Sequence, residues 1–359
     1  MLNERLKLGF GCMRLPMNGD KVDLESFARM VDTYIAAGGR YFDTAHNYIG
    51  EQSEPAIRAC LTSRYPRDSY ILTTKLTRLY LQKPEDVRDL FARQLEACGV
   101  DYFDFYLCHA IRRDNYYDIF LKCNAFEQLL ELKAEGKIRH IGMSFHDDPE
   151  FLEQVLQEQP AIEIVQLQFN YADYDNPDVQ SWRCYEVCEK YGKPVLVMEP
   201  VKGGRLTELP QEARDVFDRL GGGSYASYAI RYAASQPNVA MVLSGMSNQS
   251  QMEDNLSHMK DFRPFNQDEY EAVAQVREIL RKHEQIPCTA CRYCMDVCPQ
   301  QIAIPELFAA WNARKRLEPW EPVETPHPTT CLDCGACETA CPQHLEIRKL
   351  LKRTGCVAK

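Results

Sequence analysis

The 359-residue sequence has no long apolar run. Its longest uncharged stretch, Tyr232 to Met252, is broken by Pro237 and by many Ser, Gln and Asn side chains, which excludes a bilayer-spanning helix there. It has no basic excess either. Lys and Arg number 42 against 52 Asp and Glu, and a net charge of −10 argues against nucleic acid as the main partner. The opening MLNERLKLGFG has no apolar signal core ahead of a small-residue cleavage site, so the expected location is cytoplasmic, with no membrane partner. Cysteine is missing from one region only. Of the 16 cysteines, Cys12, Cys60, Cys98, Cys108, Cys123, Cys184 and Cys188 are scattered, none follows until Cys288, and the rest crowd the C-terminal end. A cytosolic chain of this size does not use so many for disulfides. The shift in composition marks a domain boundary, expected after the helix-like stretch Asp268 to Glu284. The expected division is a first domain over 1–265, a connecting helix over 266–285 and a second domain over 286–359.

The first part alternates short apolar runs with longer amphipathic ones. Strand-like runs are LGFGCMRL, RYFDTA, SYILTTKL, FDFYLCH, RHIGMSF, IVQLQFNY, PVLVMEP and VAMVLSGM. Helical patterns lie between them, such as LESFARMVDTYIAAGG, SEPAIRACLTS, EDVRDLFARQLEACG, AFEQLLELKAEGK and SWRCYEVCEKYGK, several ending in Gly. Near-continuous apolar strands separated by single helices imply a parallel sheet covered by helices. Eight such units in about 250 residues is the repeat of an α/β (β/α)8 TIM barrel. A doubly wound sheet is the alternative, disfavoured because no G-x-G-x-x-G turn follows any strand.

A barrel places its active site at the carboxyl ends of its strands. Asp43, Lys75, His109, Ser144, Asn170 and Glu199 all fall there. Asp43 in YFDTAHNY, Tyr48 five positions on, Lys75 in LTTKL and His109 in FYLCH resemble the tetrad of the aldo-keto reductases, with GFGCMRLP, SFH and QLQFN as supporting matches. The resemblance covers the whole first part and implies reduction of a carbonyl by NADH or NADPH. Hydride transfer leaves negative charge on oxygen, so a proton donor must stand ready. The resemblance makes Tyr48 that donor. A free phenol ionises near pH 10, and a neighbouring Lys75 favours the phenolate and lowers that value. Asp43 then holds Lys75, and His109 orients the carbonyl oxygen. A plain buried ion pair is the structural alternative for Asp43 and Lys75.

The cofactor side matches less fully. The resemblance implies that Ser144 and Gln166 hold the nicotinamide carboxamide, but Phe145 stands where the family has Asn. Met198 occupies the ring-stacking position, and Asp254 and Asn255 match the adenine end. Gly203 and Gly204, flanked by Lys202 and Arg205, are expected at the pyrophosphate or in a solvated loop. Gly245 and Gln251 replace the two cations that hold the 2′-phosphate, so NADH or a relaxed preference is expected. His46, His146 and Asp147 are expected at the pocket mouth.

The tail repeats one motif. Cys288, Cys291, Cys294 and Cys298 are spaced C-x2-C-x2-C-x3-C before Pro299, and Cys331, Cys334, Cys337 and Cys341 repeat this before Pro342. This is the ferredoxin run for 4Fe-4S clusters, in which the fourth cysteine serves the other cluster. One cluster then takes Cys288, Cys291, Cys294 and Cys341, and the other Cys331, Cys334, Cys337 and Cys298. Zinc is the alternative, though its ribbons usually show two C-x2-C pairs. The spacer between the runs includes the helical IPELFAAWNARKR and resembles the α-helical dicluster domains of multi-subunit reductases, a tail carried by many aldo-keto reductase-like chains.

Three readings of the whole stand side by side. The barrel reduces a small carbonyl compound while two clusters carry single electrons to or from a substrate intermediate or a redox partner protein. The barrel is an ordinary carbonyl reductase with structural clusters. Or the chain is an electron-transfer module whose barrel is only a docking platform. Nicotinamide gives two electrons at once and each cluster takes one, a mismatch a flavin normally bridges, yet no flavin site is recognisable.

Overall fold

The structure, a computed structural model, describes residues 2, 4–282, 285–316 and 318–359. Contacts divide it into two units. The first comprises Met1–Asp175, Gln180–Pro200 and Ala226–Phe265, and the second Asn176–Val179, Val201–Tyr225 and Asn266–Lys359.

All eight strand-like runs of the first unit are strands: β1 (Leu8–Gly11), β2 (Tyr41–Asp43), β3 (Ile71–Thr77), β4 (Phe103–Ile111), β5 (Ile138–Phe145), β6 (Ile164–Gln168), β7 (Val195–Met198) and β8 (Val239–Ser244). They pair in parallel and in order, and β1 closes the ring by pairing with both β2 and β8. The helices are α1 (Leu24–Ala36), α2 (Ser53–Ile57), α3 (Glu85–Cys98), α4 (Ala125–Ala134), α5 (Pro149–Glu158), α6 (Ser181–Lys190), α7 (Tyr225–Ala234) and α8 (Gln249–Met259). In α1 the Asp23 carboxylate accepts from the Ser26 amide at 3.0 Å, and Phe27, Met30, Val31 and Tyr34 form the buried stripe at helical spacing. Tyr34 then fastens the helix to β1 by donating to the Leu8 carbonyl at 2.6 Å. The sequence reading did not single out α5, α7 or α8; α5 nevertheless buries Phe151, Leu152, Val155 and Leu156 on one face.

Tyr41, Phe105, Leu107, Ile164, Leu196, Met241 and Leu243 converge from the strands into one buried cluster. Gly142 of β5 makes room for it. A Cβ there would lie 2.5 Å from Leu107 Cδ2 and 2.8 Å from the Ile164 carbonyl oxygen. Register then decides which polar ends meet. Gly11 lies opposite Asp43, Asp43 opposite Thr73, Thr77 opposite His109, and Ser144 opposite Gln166.

In the second unit a helix over Gln211–Asp218 packs against α9 (Gln267–Lys282), and the expected last two residues of α9, 283 and 284, lie outside the described residues. The IPELFAAWNARKR pattern forms α10 (Ile304–Lys315), and α11 (Ile347–Thr354) packs against it. The small core there includes Ile302, Ile304, Leu307, Phe308, Ile347 and Leu351 together with Cys294, Cys337 and Cys341. Among the described residues no helix is long and apolar enough to cross a membrane.

Gly142→Ala is expected to destabilise the barrel by about 1–3 kcal/mol through overpacking. Urea denaturation checks this, and an unchanged midpoint would count against the close approach.

Candidate functional site

β2 and β3 bring Asp43 and Lys75 together at the carboxyl end of the barrel. Lys75 Nζ donates to Asp43 Oδ1 at 2.6 Å and to the Thr44 carbonyl at 2.7 Å, and Lys75 is fully buried. Gln166 of β6 donates to the other Asp43 oxygen at 3.2 Å. Burial pushes the Lys75 ammonium below its ordinary value and the Asp43 carboxyl above its own, and the ion pair opposes both shifts. The loop after β2 carries Tyr48, whose ring centre is 4.9 Å from Lys75 Nζ and meets the His109 ring edge-on at 6.0 Å. His109 Nδ1 shares a 2.9 Å hydrogen bond with Thr77 Oγ1. Burial, and then the positive charges of Lys75, His146 and Arg78, hold its pKa well below 6.5, so the imidazole is neutral at neutral pH. The four residues singled out by the sequence therefore meet. A phenol beside a buried ammonium and a neutral imidazole can deliver a proton and orient an acceptor oxygen.

Beside this group is a second one that the sequence did not reveal. Glu54, with no exposed surface, has its Oε2 2.7 Å from His46 Nδ1, while its Oε1 accepts from Thr74 Oγ1 at 2.8 Å and Gln94 Nε2 at 2.9 Å. Gln94 in turn accepts from the Tyr106 hydroxyl at 2.6 Å. His46, expected at the pocket mouth, is buried, and no spacing rule in the sequence links it to Glu54.

The residues matched to nucleotide binding are in several states. Ser144 Oγ accepts from the Ala110 amide at 2.7 Å, leaving its own proton to give. Gln166 is partly committed to Asp43. Phe145 is buried 6.1 Å from the Phe151 ring, an apolar contact in place of an amide. Met198 ends β7, half-buried. Asn255 donates to Ser244 Oγ at 2.8 Å, and Asp254 lies 3.8 Å from His258. Gln251 Oε1 accepts from the Ser247 amide at 2.7 Å. Arg14, from the loop after β1, comes beside Gly245, where a Cβ would lie 3.2 Å from Arg14 Cδ, and it faces Glu199 at 3.9 Å. Closure of the ring thus brings a cation to a place where the sequence shows none. Asn170 spends its amide on Asp173 and on the Glu199 carbonyl, so it holds a loop.

Gly203 and Gly204 belong to the second unit. Gly203, at φ +64°, lies so near Thr289 that a Cβ would be 2.3 Å from its carbonyl oxygen. Arg205 donates to the Ile286 carbonyl and, at 2.9 Å, to Gln285 Oε1. These contacts tie the loop to the start of the first cysteine run.

The eight cysteines of the two runs surround two voids. Cys288, Cys291, Cys294 and Cys341 line one, and Cys298, Cys331, Cys334 and Cys337 line the other. This is the crossed grouping expected from the spacing. The two runs also repeat their backbone. Ala290 and Asp333, Arg292 and Gly335, and Gln301 and His344 take left-handed φ values of +52° and +54°, +69° and +77°, and +52° and +51° at equivalent places. Left-handed residues between right-handed ones turn amides into a concavity that suits an anionic group such as an iron–sulfur centre. Among the described residues no three His, Cys, Asp or Glu side chains are arranged to hold a single metal ion. Four thiols around a void and a nest of amides fit a cubane cluster.

A parallel barrel of this kind, joined to a helical cysteine-rich unit, is the architecture of an iron–sulfur oxidoreductase. Residues 7–278 match the aldo/keto reductase family and residues 287–345 the 4Fe-4S dicluster domain, and the chain belongs to the aldo/keto reductase family. It is 27% identical over 293 residues to an L-galactose dehydrogenase of Arabidopsis thaliana, spanning 76% of this chain and 90% of that protein. It is 27% identical over 197 residues to the NADH-specific methylglyoxal reductase of Escherichia coli (strain K12), spanning 49% of this chain and 58% of that one. Among solved structures, an aldo-keto reductase from Klebsiella pneumoniae in complex with NADPH superposes with a TM-score of 0.61 at 18% identity, over 76% of this chain and 90% of the other. The holo form of one from Bacillus halodurans gives 0.61 at 24%, over 75% and 91%. At such identities these two speak for the fold.

Crossed ligation has a direct test. Cys288→Ser with Cys341→Ser is expected to remove one cluster and leave the other, whereas Cys331→Ser with Cys341→Ser removes both. Iron and sulfide analysis reads the difference, and loss of both clusters from the first pair would mean that each run serves its own cluster. In a second measurement, the side-chain nitrogen resonances of His109 are expected to show no protonation as pH falls through 6.5, because a depressed pKa delays proton uptake to lower pH.

Proposed function

We propose that the barrel reduces the carbonyl group of a small molecule with NADH or NADPH, and that two 4Fe-4S clusters in the second unit carry single electrons to or from a substrate intermediate or a redox partner protein. The observation that carries the first half is the buried 2.6 Å pair of Asp43 and Lys75 beneath the Tyr48 ring. A buried ion pair is weak evidence for stability, since apolar residues fill such space as well or better. Its position at the strand ends, beside a phenol, is where a reductase needs a fixed cation.

The nucleotide, when bound, supplies hydride to the carbonyl carbon. Tyr48 gives its phenolic proton to the oxygen that gains charge, Lys75 stabilises the phenolate left behind, and Asp43 keeps Lys75 charged and in place. His109, uncharged, hydrogen-bonds the carbonyl oxygen and fixes which face meets the hydride. Ser144 and Gln166 hold the carboxamide, Met198 lies against the ring, and Asp254 and Asn255 take the adenine end. The names of the curated relatives, a dehydrogenase and an NADH-specific reductase, support nicotinamide chemistry, and Gly245 and Gln251 favour NADH or a relaxed choice.

The clusters move electrons singly, which makes a redox partner protein or a one-electron substrate intermediate part of the reading. The cytoplasm suits both the exposed Cys334 and the cluster thiolates.

Tyr48→Phe is expected to lower kcat for carbonyl reduction by about 10²–10⁴-fold while the fold is kept. Anaerobic protein mixed separately with NADH and NADPH should give the electron paramagnetic resonance signal of reduced clusters with the preferred nucleotide. Silence with both nucleotides, when dithionite still reduces the clusters, would sink the coupling and leave a reductase with separate clusters. Failure of both nucleotides to bind would sink the reductase and favour the docking platform.

A further inference from the structure

The short turn after β3, Arg78–Tyr80, carries a cation that the reduction chemistry does not use. Arg78 follows Thr77, whose hydroxyl meets His109 Nδ1 at 2.9 Å and whose backbone lies opposite His109 in the sheet. Its guanidinium is near enough to oppose protonation of that imidazole. It is half-buried, and it has no hydrogen bond or ion pair with any described residue. A guanidinium carries five donors, and one partly withdrawn from water is normally paired.

The carboxylates nearby have other partners than Arg78. Asp43 is taken by Lys75 and Glu54 by His46, and Glu51 accepts from the Tyr80 hydroxyl at 2.6 Å. His46 packs edge-on against Tyr80 at 4.9 Å, which places a second basic side chain against the same turn, and His146 contributes its field at His109. Arg78 is thus a cation beside the reacting centre with no described carboxylate hydrogen-bonded to its guanidinium.

We infer that Arg78 is a specificity-determining residue that binds an anionic group of the substrate, and that the substrate class is an aldehyde or ketone bearing a carboxylate. This rests on the carbonyl reductase reading and adds the charge of the substrate to it. Planar guanidinium and planar carboxylate form two parallel hydrogen bonds, which orient as well as attract, so an acid anchored there presents its carbonyl in one pose.

The test uses the full chain with its clusters and two probes that share one aldehyde, 4-carboxybenzaldehyde and methyl 4-formylbenzoate. Turnover is followed with NADH and NADPH, and binding of each probe by calorimetry. The wild-type protein is expected to favour the acid over the ester in kcat/KM, and Arg78→Met to reduce that acid-to-ester ratio by about 10–100-fold, the loss of a hydrogen bond to a charged group. Arg78→Lys should restore part of the ratio, since charge remains and the fork is lost. An equal preference in the wild type, or a ratio unmoved by Arg78→Met, overturns the anionic subsite and leaves the reductase standing. Selective, Arg78-dependent binding of the acid without turnover of either probe supports the subsite and overturns the reductase. If the acid is neither bound nor turned over, the subsite is overturned.

Discussion

A lysine with no exposed surface needs a partner, and the barrel supplies one because parallel pairing sets Asp43, the last residue of β2, opposite Thr73, two residues before Lys75 on β3. The Asp43–Lys75 pair is the constraint around which the site is arranged. Lys75 reaches it along β3, Asp43 ends β2, and Gln166 crosses from β6 to hold the second carboxylate oxygen. Remove either charge and the other is left buried without compensation, at a cost of about 3–5 kcal/mol. Tyr48 and His109 are then set by what surrounds the pair. The same cation that flanks the phenol helps to keep the imidazole neutral.

The second unit solves a different problem. Its small core includes cysteines of both runs among the aliphatic side chains. Two runs with the same left-handed backbone positions turn their thiols inward around two voids, so the groups that fill them become part of the fold as well as of the chemistry. The loop after β7 joins that arrangement through Gly203 and Arg205, so a stretch that the family resemblance assigns to the nucleotide packs on the first cysteine run.

Much of this was legible in residue order. Short, near-continuous apolar runs became the eight strands, and cysteine spacing foretold the crossed grouping, because both signals are local and repeat. Asp43, Lys75 and His109 were legible because strand ends concentrate polar residues, and Tyr48 through the family resemblance. The Glu54–His46 contact was not, since it spans a loop and a helix with no periodic signature. Arg14 beside Gly245 was not, since it depends on ring closure between the first and last strands. Helix α5 was passed over although Phe151, Leu152, Val155 and Leu156 carry the helical period.

The sequence by itself determined the classes of element, the spacing of the two cysteine runs and the residue types available at the strand ends, because these follow from periodicity and spacing along one chain. Only the tertiary structure decided which of those side chains are paired and which are not. Charge pairing depends on register and burial between segments far apart in sequence. It is why Lys75 is matched to Asp43, why Glu54 is spent on His46, and why the Arg78 guanidinium meets no described partner.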